Sequence, residues 1–289
     1  MFSTLAVTCT LYGVIERDSF PATGAINTTI EMVTVYGGNF ELGRELGTAG
    51  FGDITPVSQV SLSVYRIGRY PVTQAQYGAV MGYNPSHFHG GSGREPAAGE
   101  VQGRRPVEMV TWYDAIDFCN RLSELEGLTP VYTITNRAPT AGNPITNATV
   151  TANLANNGYR LPTEAQWEFA AKGRGLENFT FSGSNVIGDV AWFWTNSGQR
   201  THEVGRKDPN GLGLYDMSGN VWEWCWDILD VYTSNVKTDP TGPTSGTQRV
   251  HRGGIFKDDA FNNRSVARNG TGVPSLQSDG LGFRVVLPQ

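Results

Sequence analysis

Cysteine is scarce in this chain: Cys9, Cys119 and Cys225 are the only three in 289 residues. Thiols so few and so far apart exclude a disulfide framework. Charge is sparse too, at 17% of residues, and its balance is acidic, with a net of −5. No basic excess is present to neutralise phosphates, which argues against a nucleic-acid partner. No run of about 20 apolar residues occurs, so no segment reads as transmembrane. No unit of about 20–50 residues recurs, which argues against a repeat array.

What is abundant is glycine, 36 residues, together with seven tryptophans and an apolar content of 39%. That mixture describes a loop-rich fold anchored by aromatics rather than a helical bundle. Residues 1–29 read as an irregular lead-in. Met1 to Val14 is apolar but lacks the basic start of an export signal. Leu5-Ala6-Val7-Thr8-Cys9 loosely resembles a lipoprotein cleavage box with an unusual Thr8. Cys9 is therefore a candidate lipid-anchor site. Cys119 and Cys225, set among apolar neighbours, read as small core residues.

From Thr29 the pattern turns strand-like. Ile30–Tyr36 and Asn39–Gly43 flank Gly37-Gly38 and predict a hairpin. Gln59–Ile67 alternates cleanly and predicts one further strand. Three helix starts share one device: Thr73 precedes Gln76, Thr111 precedes Asp114 and Thr163 precedes Gln166 by three residues, the spacing of a capping box. The second helix carries Trp112, Ala115, Ile116, Cys119, Leu122, Ser123 and Leu125 on one amphipathic stripe. Gly82, Gly127 and Gly173 stand where helix ends are expected. Val131–Ile134 and Ala148–Thr151 predict a second hairpin, and Gly90-Gly91-Ser92-Gly93 an exposed insertion. Short helices with scattered strands indicate an α+β fold.

Four segments in order then resemble one family. They are Gly68-Arg69-Tyr70-Pro71-Val72-Thr73, Arg105-Pro106-Val107 through Ala115, Gly158-Tyr159-Arg160-Leu161-Pro162-Thr163 through Ala171, and Gly211-Leu212-Gly213-Leu214-Tyr215-Asp216-Met217-Ser218-Gly219-Asn220-Val221-Trp222-Glu223-Trp224. Together with an Arg249–Val286 frame they look like the formylglycine-generating-enzyme (sulfatase-modifying factor) domain, a variant of the C-type lectin fold. The resemblance covers residues 30–287 and implies a domain over 30–289.

In family members that oxidise a substrate cysteine, two C-terminal cysteines bind copper and engage the substrate. Here Asp258 and Asn263 fall at those places in the frame. Hard carboxylate and amide oxygens do not replace soft thiolates for copper(I), nor form a mixed disulfide. Related iron-dependent sulfoxide synthases need a histidine cluster. Of the four histidines, His87, His89, His202 and His251, only the first two are close in sequence, and they read as surface-loop residues.

The frame itself is more telling. Arg252-Gly253-Gly254 opens it and Gly282-Phe283-Arg284-Val285 closes it. This resembles the variable proteins of diversity-generating retroelements, in which adenine-directed mutagenesis rewrites a C-terminal stretch, here residues 250–286. Most residues between fit altered Asn codons; Lys257 and Gln277 do not. The resemblance implies a non-enzymatic, surface-displayed protein that binds a protein or other macromolecular ligand. The expected contacts are Ile255, Lys257, Asp258, Asp259, Phe261, Asn262, Asn263, Val266, Asn269, Thr271, Ser275, Leu276, Gln277 and Ser278, with Phe261 as the apolar anchor. Trp222, Trp224, Trp226, Phe256 and Phe283 are the expected supports. No cofactor is required on this reading. The family's calcium loop matches Asp216, Gly219, Val221 and Glu223, which makes calcium a candidate ligand. Two other readings stay open: a diverged oxidase, and a calcium-dependent carbohydrate-binding lectin.

Overall fold

The computed structural model describes residues 29–289 apart from Ala49, Phe51, Asp53 and Ser92, and gives only the backbone of Gly270 and Thr271. Cys9 and the lead-in before Thr29 lie outside the described residues. Strands β1 (Met32–Val35), β2 (Gly38–Leu42), β3 (Ser58–Leu62) and β4 (Tyr65–Gly68) lead into helices α1 (Gln74–Met81) and α2 (Trp112–Leu125). The hairpin β5 (Tyr132–Ala138) and β6 (Asn147–Ala152) precedes α3 (Glu164–Ala171) and a single turn, α4 (Ile187–Val190). Six strands complete the chain: β7 (Trp222–Ile228), β8 (Lys237–Thr238), β9 (Arg249–Arg252), β10 (Arg268–Gly272), β11 (Leu281–Gly282) and β12 (Val286–Pro288).

The predicted hairpin across Gly37-Gly38 does not form. β1 pairs with β4 and β2 with β3, all antiparallel. Val35 stands opposite Tyr65 and Gly38 opposite Leu62, so one register runs through both ladders. The single strand expected over Gln59–Ile67 is likewise broken, at Ser63 and Val64. Gly37 marks that break: a Cβ there would lie 2.4 Å from the Leu62 carbonyl oxygen, closer than any side chain permits. The Gly-Gly pair thus lets two chain segments approach instead of turning one of them.

The locally encoded elements form as the sequence predicts. Each of the three helices closes a complete capping box, including the shorter Thr111–Asp114 version. β5 and β6 pair as the second hairpin. On α2, Trp112, Ala115, Ile116, Cys119, Leu122 and Ser123 are buried, whereas Leu125 is 62% exposed at the helix end.

Four small sheets result, ordered β1-β4-β12, β10-β9-β7-β11, β2-β3-β8 and β5-β6. β7 lies between two hydrophobic clusters. By strand alternation, Trp222, Trp224 and Trp226 face the cluster around α2, while Cys225 faces the one around α3. The indoles find polar partners inside: Trp112 Nε1 donates to Cys225 O (2.9 Å) and Trp224 Nε1 to Val110 O (3.1 Å). Large rings with satisfied N–H groups make a rigid floor for the loops that follow.

Candidate binding surface

Two buried arginines clamp the segment between them. Arg252, at the end of β9, donates through Nη1 to Val266 O (2.7 Å) and Ala267 O (2.6 Å) and through Nη2 to Glu168. Arg284 forks onto Glu223 (Nε 2.6 Å, Nη2 2.7 Å) and also donates from Nη2 to Tyr215 O (3.0 Å). Such fork-shaped pairs fix geometry as well as charge. Just past Arg252, Gly254 has a φ of +78°, and a Cβ there would meet Asn263 Oδ1 at 2.4 Å. The opening arginine and glycine of the frame are therefore what folds residues 255–266 back onto β9.

Within the clamp the expected contact residues separate by burial. Ile255, Asn263 and Val266 are buried. Ile255 packs where Gly280 leaves room for it, and Asn263 Nδ2 donates to Asp259 O (2.6 Å), closing the 259–263 turn. Asp259, Phe261, Asn262 and Ser275 are exposed; Lys257, Asp258, Asn269, Leu276, Gln277 and Ser278 are half-buried. Asn269 and Thr271 belong to β10, at the edge of its sheet, rather than to the loops.

The loops are tied to each other and to the core. Lys257 Nζ donates to Asp279 Oδ1 (2.5 Å), joining the 255–262 loop to the 275–279 loop. Gln277 Nε2 donates to Met109 O (2.6 Å), and Ser278 O accepts from Met109 N (3.0 Å). Phe256, buried as expected, has its N–H on Asn220 O and its carbonyl under Ser197 Oγ (2.7 Å). Trp222 Nε1 donates to Asp258 Oδ2 (3.2 Å). Burial raises the Asp258 carboxyl above its ordinary value, as does the neighbouring Asp259 charge, against the pull of the Trp222 bond and Lys257.

Trp194 completes the surface from outside the segment. Its N–H donates to Asp258 O (3.0 Å), and its side chain is 59% exposed, more than the 47% of Phe261. Sequence reasoning missed it. Trp192-Phe193-Trp194 is an aromatic run with no period, so nothing in it says which ring points outward.

In the loop expected to bind calcium, Asp216, Gly219 and Asn220 all have positive φ. Its carboxylates, however, are already engaged. Asp216 accepts from Gly205 N (2.8 Å) and Asn220 Nδ2 (3.2 Å), and burial pushes its carboxyl up to about 6. Glu223 is filled by Arg284 and by Trp167 Nε1 (2.7 Å). Calcium at this loop would have to share the Glu223 carboxylate with Arg284 and Trp167. Among the described residues no group of three or more His, Cys, Asp or Glu side chains could hold a metal, and His87 and His89 sit in the loop expected for them.

The sulfatase-modifying factor enzyme 1-like domain model matches residues 19–288. This chain belongs to that family. The sulfatase-modifying factor chain is 43% identical over 225 residues to the chaperone protein LppX of Paenibacillus barcinonensis, covering 70% of this chain and 73% of that one. To the formylglycine-generating enzyme of Thermomonospora curvata it is 32% identical over 287 residues, covering 88% and 92%. In structure it resembles Treponema denticola variable protein 1, with a TM-score of 0.79 and 38% identity over 92% of this chain and 98% of that one. The α+β fold is thus the C-type lectin-like fold of this family.

Against that family background the positions of the thiols bear on the chemistry. Residues 249–289 contain no cysteine. Cys119 and Cys225 are free and fully buried, and burial raises both thiols above their ordinary value. A protonated, inaccessible thiol is neither nucleophile nor metal ligand. A cavity of about 490 Å³ does open near the other end of β7, beside Glu164, Asp227, Tyr232 and Arg268, but none of the expected contact residues lines it.

Proposed function

We propose that this family member is a binding protein rather than an oxidase, and that it engages a protein or other macromolecular ligand through the exposed part of residues 255–278. The observation that carries this reading is the separation of roles along the segment. Arg252, Ile255, Phe256, Asn263, Val266 and Arg284 are buried and hold the loops, while Asp259, Phe261, Asn262 and Ser275 are exposed. Side chains of the second kind can change without disturbing the core, as a diversified binding site requires. The likeness to a variable protein supports the same reading. Display outside the cell, with Cys9 as a lipid anchor, belongs to the proposal and is checked by mass spectrometry of the N-terminal peptide from membrane fractions.

Sequencing the DNA around the gene tests the diversification. The expected finding is a reverse-transcriptase gene and a near-copy of the codons for 250–286, differing only at template adenines. A locus with neither would overturn it.

A further inference from the structure

The charges of the binding surface do not balance. Three cations lie on or beside it, and each is used within the molecule. Lys257 pairs with Asp279 (2.5 Å), Arg264 with Glu45, and Arg268 with Glu164 (2.7 Å). Asp258 and Asp259 have no cationic partner among the described residues. Asp258 accepts only the neutral Trp222 indole N–H, and Asp259 Oδ1 accepts the Asn262 N–H (3.3 Å).

The same loop is tied to an aromatic side chain that is equally unused. Trp194 is joined to Asp258 through its main chain, and its indole makes no ring or cation contact with another described residue. The chain's other aromatics show what such faces accept. The Arg264 guanidinium lies 4.1 Å from the Phe261 ring centroid, Lys207 Nζ 4.4 Å from Trp192 and the Arg249 guanidinium 3.8 Å from Trp112. Trp194, held to Asp258 through its main chain, has the same kind of face left open to solvent.

From this we infer that the surface recognises a basic protein segment, whose Lys and Arg side chains pair with Asp258 and Asp259 and lie on the exposed face of Trp194. A flat guanidinium suits the indole face, and cations at the two carboxylates satisfy charges the protein itself leaves unmatched. Trp194 is then a fixed contact supplied from outside the segment that is proposed to vary. This inference rests on the binding reading above.

Panning a random peptide library against the full chain tests it. Peptides selected at this surface should be enriched in Lys and Arg, and their affinity should fall as salt is raised. Asp258→Asn with Asp259→Asn, and separately Trp194→Ala, should each weaken them by at least about tenfold while Tm stays unchanged. Asn at 258 keeps an acceptor for the Trp222 N–H, so the double variant removes charge rather than support. Peptides that are lost on Phe261→Ser or Gln277→Ala yet show no basic excess and no salt dependence would overturn the inference and leave the binding surface standing. Peptides that bind but are indifferent to every one of these substitutions would contradict the binding surface itself.

Discussion

At the scale of single residues, neighbours in sequence have opposite duties. Ile255 and Phe261 are both apolar and only six positions apart, yet one is buried and the other is 47% exposed. Ile255→Ala should therefore cost about 2–5 kcal/mol of unfolding free energy, whereas Phe261→Ser should change it by less than about 1 kcal/mol. Urea unfolding of the two variants checks this, and equal losses would mean that Phe261 is a core residue. Glu223 gives a second case. With its charge matched by Arg284 in the interior, Arg284→Ala should cost about 3–5 kcal/mol by stranding a buried carboxylate. For the same reason, adding calcium to the parent chain should leave Tm where chelator leaves it. A calcium-dependent rise would show that the loop rearranges to admit the ion.

At the scale of elements, β7 and β9 carry the surface, and His251 on β9 reports their packing. Its ring meets Trp222 and Trp224 edge-on, at 5.2 and 5.4 Å between centroids, and burial pushes its imidazole down to about 4 from an ordinary 6.5. The unfolded chain therefore takes up the proton first. The stability this group contributes is complete above about pH 6.5 and is lost as pH falls towards 4. Replacing it by Asn should make unfolding free energy less steep in pH across that window, and an unchanged slope would contradict the assignment. Elements encoded by neighbouring residues were legible in the sequence. Thr73, Thr111 and Thr163 announce their helices because a cap needs only the residue three positions on. The β1–β4 and β2–β3 ladders were not legible, because partners distant in sequence, from Leu42 opposite Ser58 to Met32 opposite Gly68, decide them and Gly37 permits a close approach as readily as a turn.

At the scale of the whole molecule, the family frame was readable because long ordered motifs such as Gly211–Trp224 mark it, and the missing C-terminal cysteines were readable from composition. The contact surface was only partly so. Residue type alone does not separate buried Ile255, Asn263 and Val266 from the exposed residues between them, since burial there depends on Gly280, Gly254 and Arg252 meeting across the fold. Trp194 enters through a main-chain hydrogen bond to Asp258, which leaves no trace in sequence. Seen whole, the molecule holds a clamped segment whose interior is fixed and whose outer side chains are free to differ. The most direct measurement randomises Asp259, Phe261, Asn262 and Ser275 together, sorts the displayed chains for folding and selects them on unrelated immobilised proteins. Most members should fold with Tm close to the parent's, and different targets should each select binders. A library that largely fails to fold, or that folds and never yields a binder, would contradict the central claim.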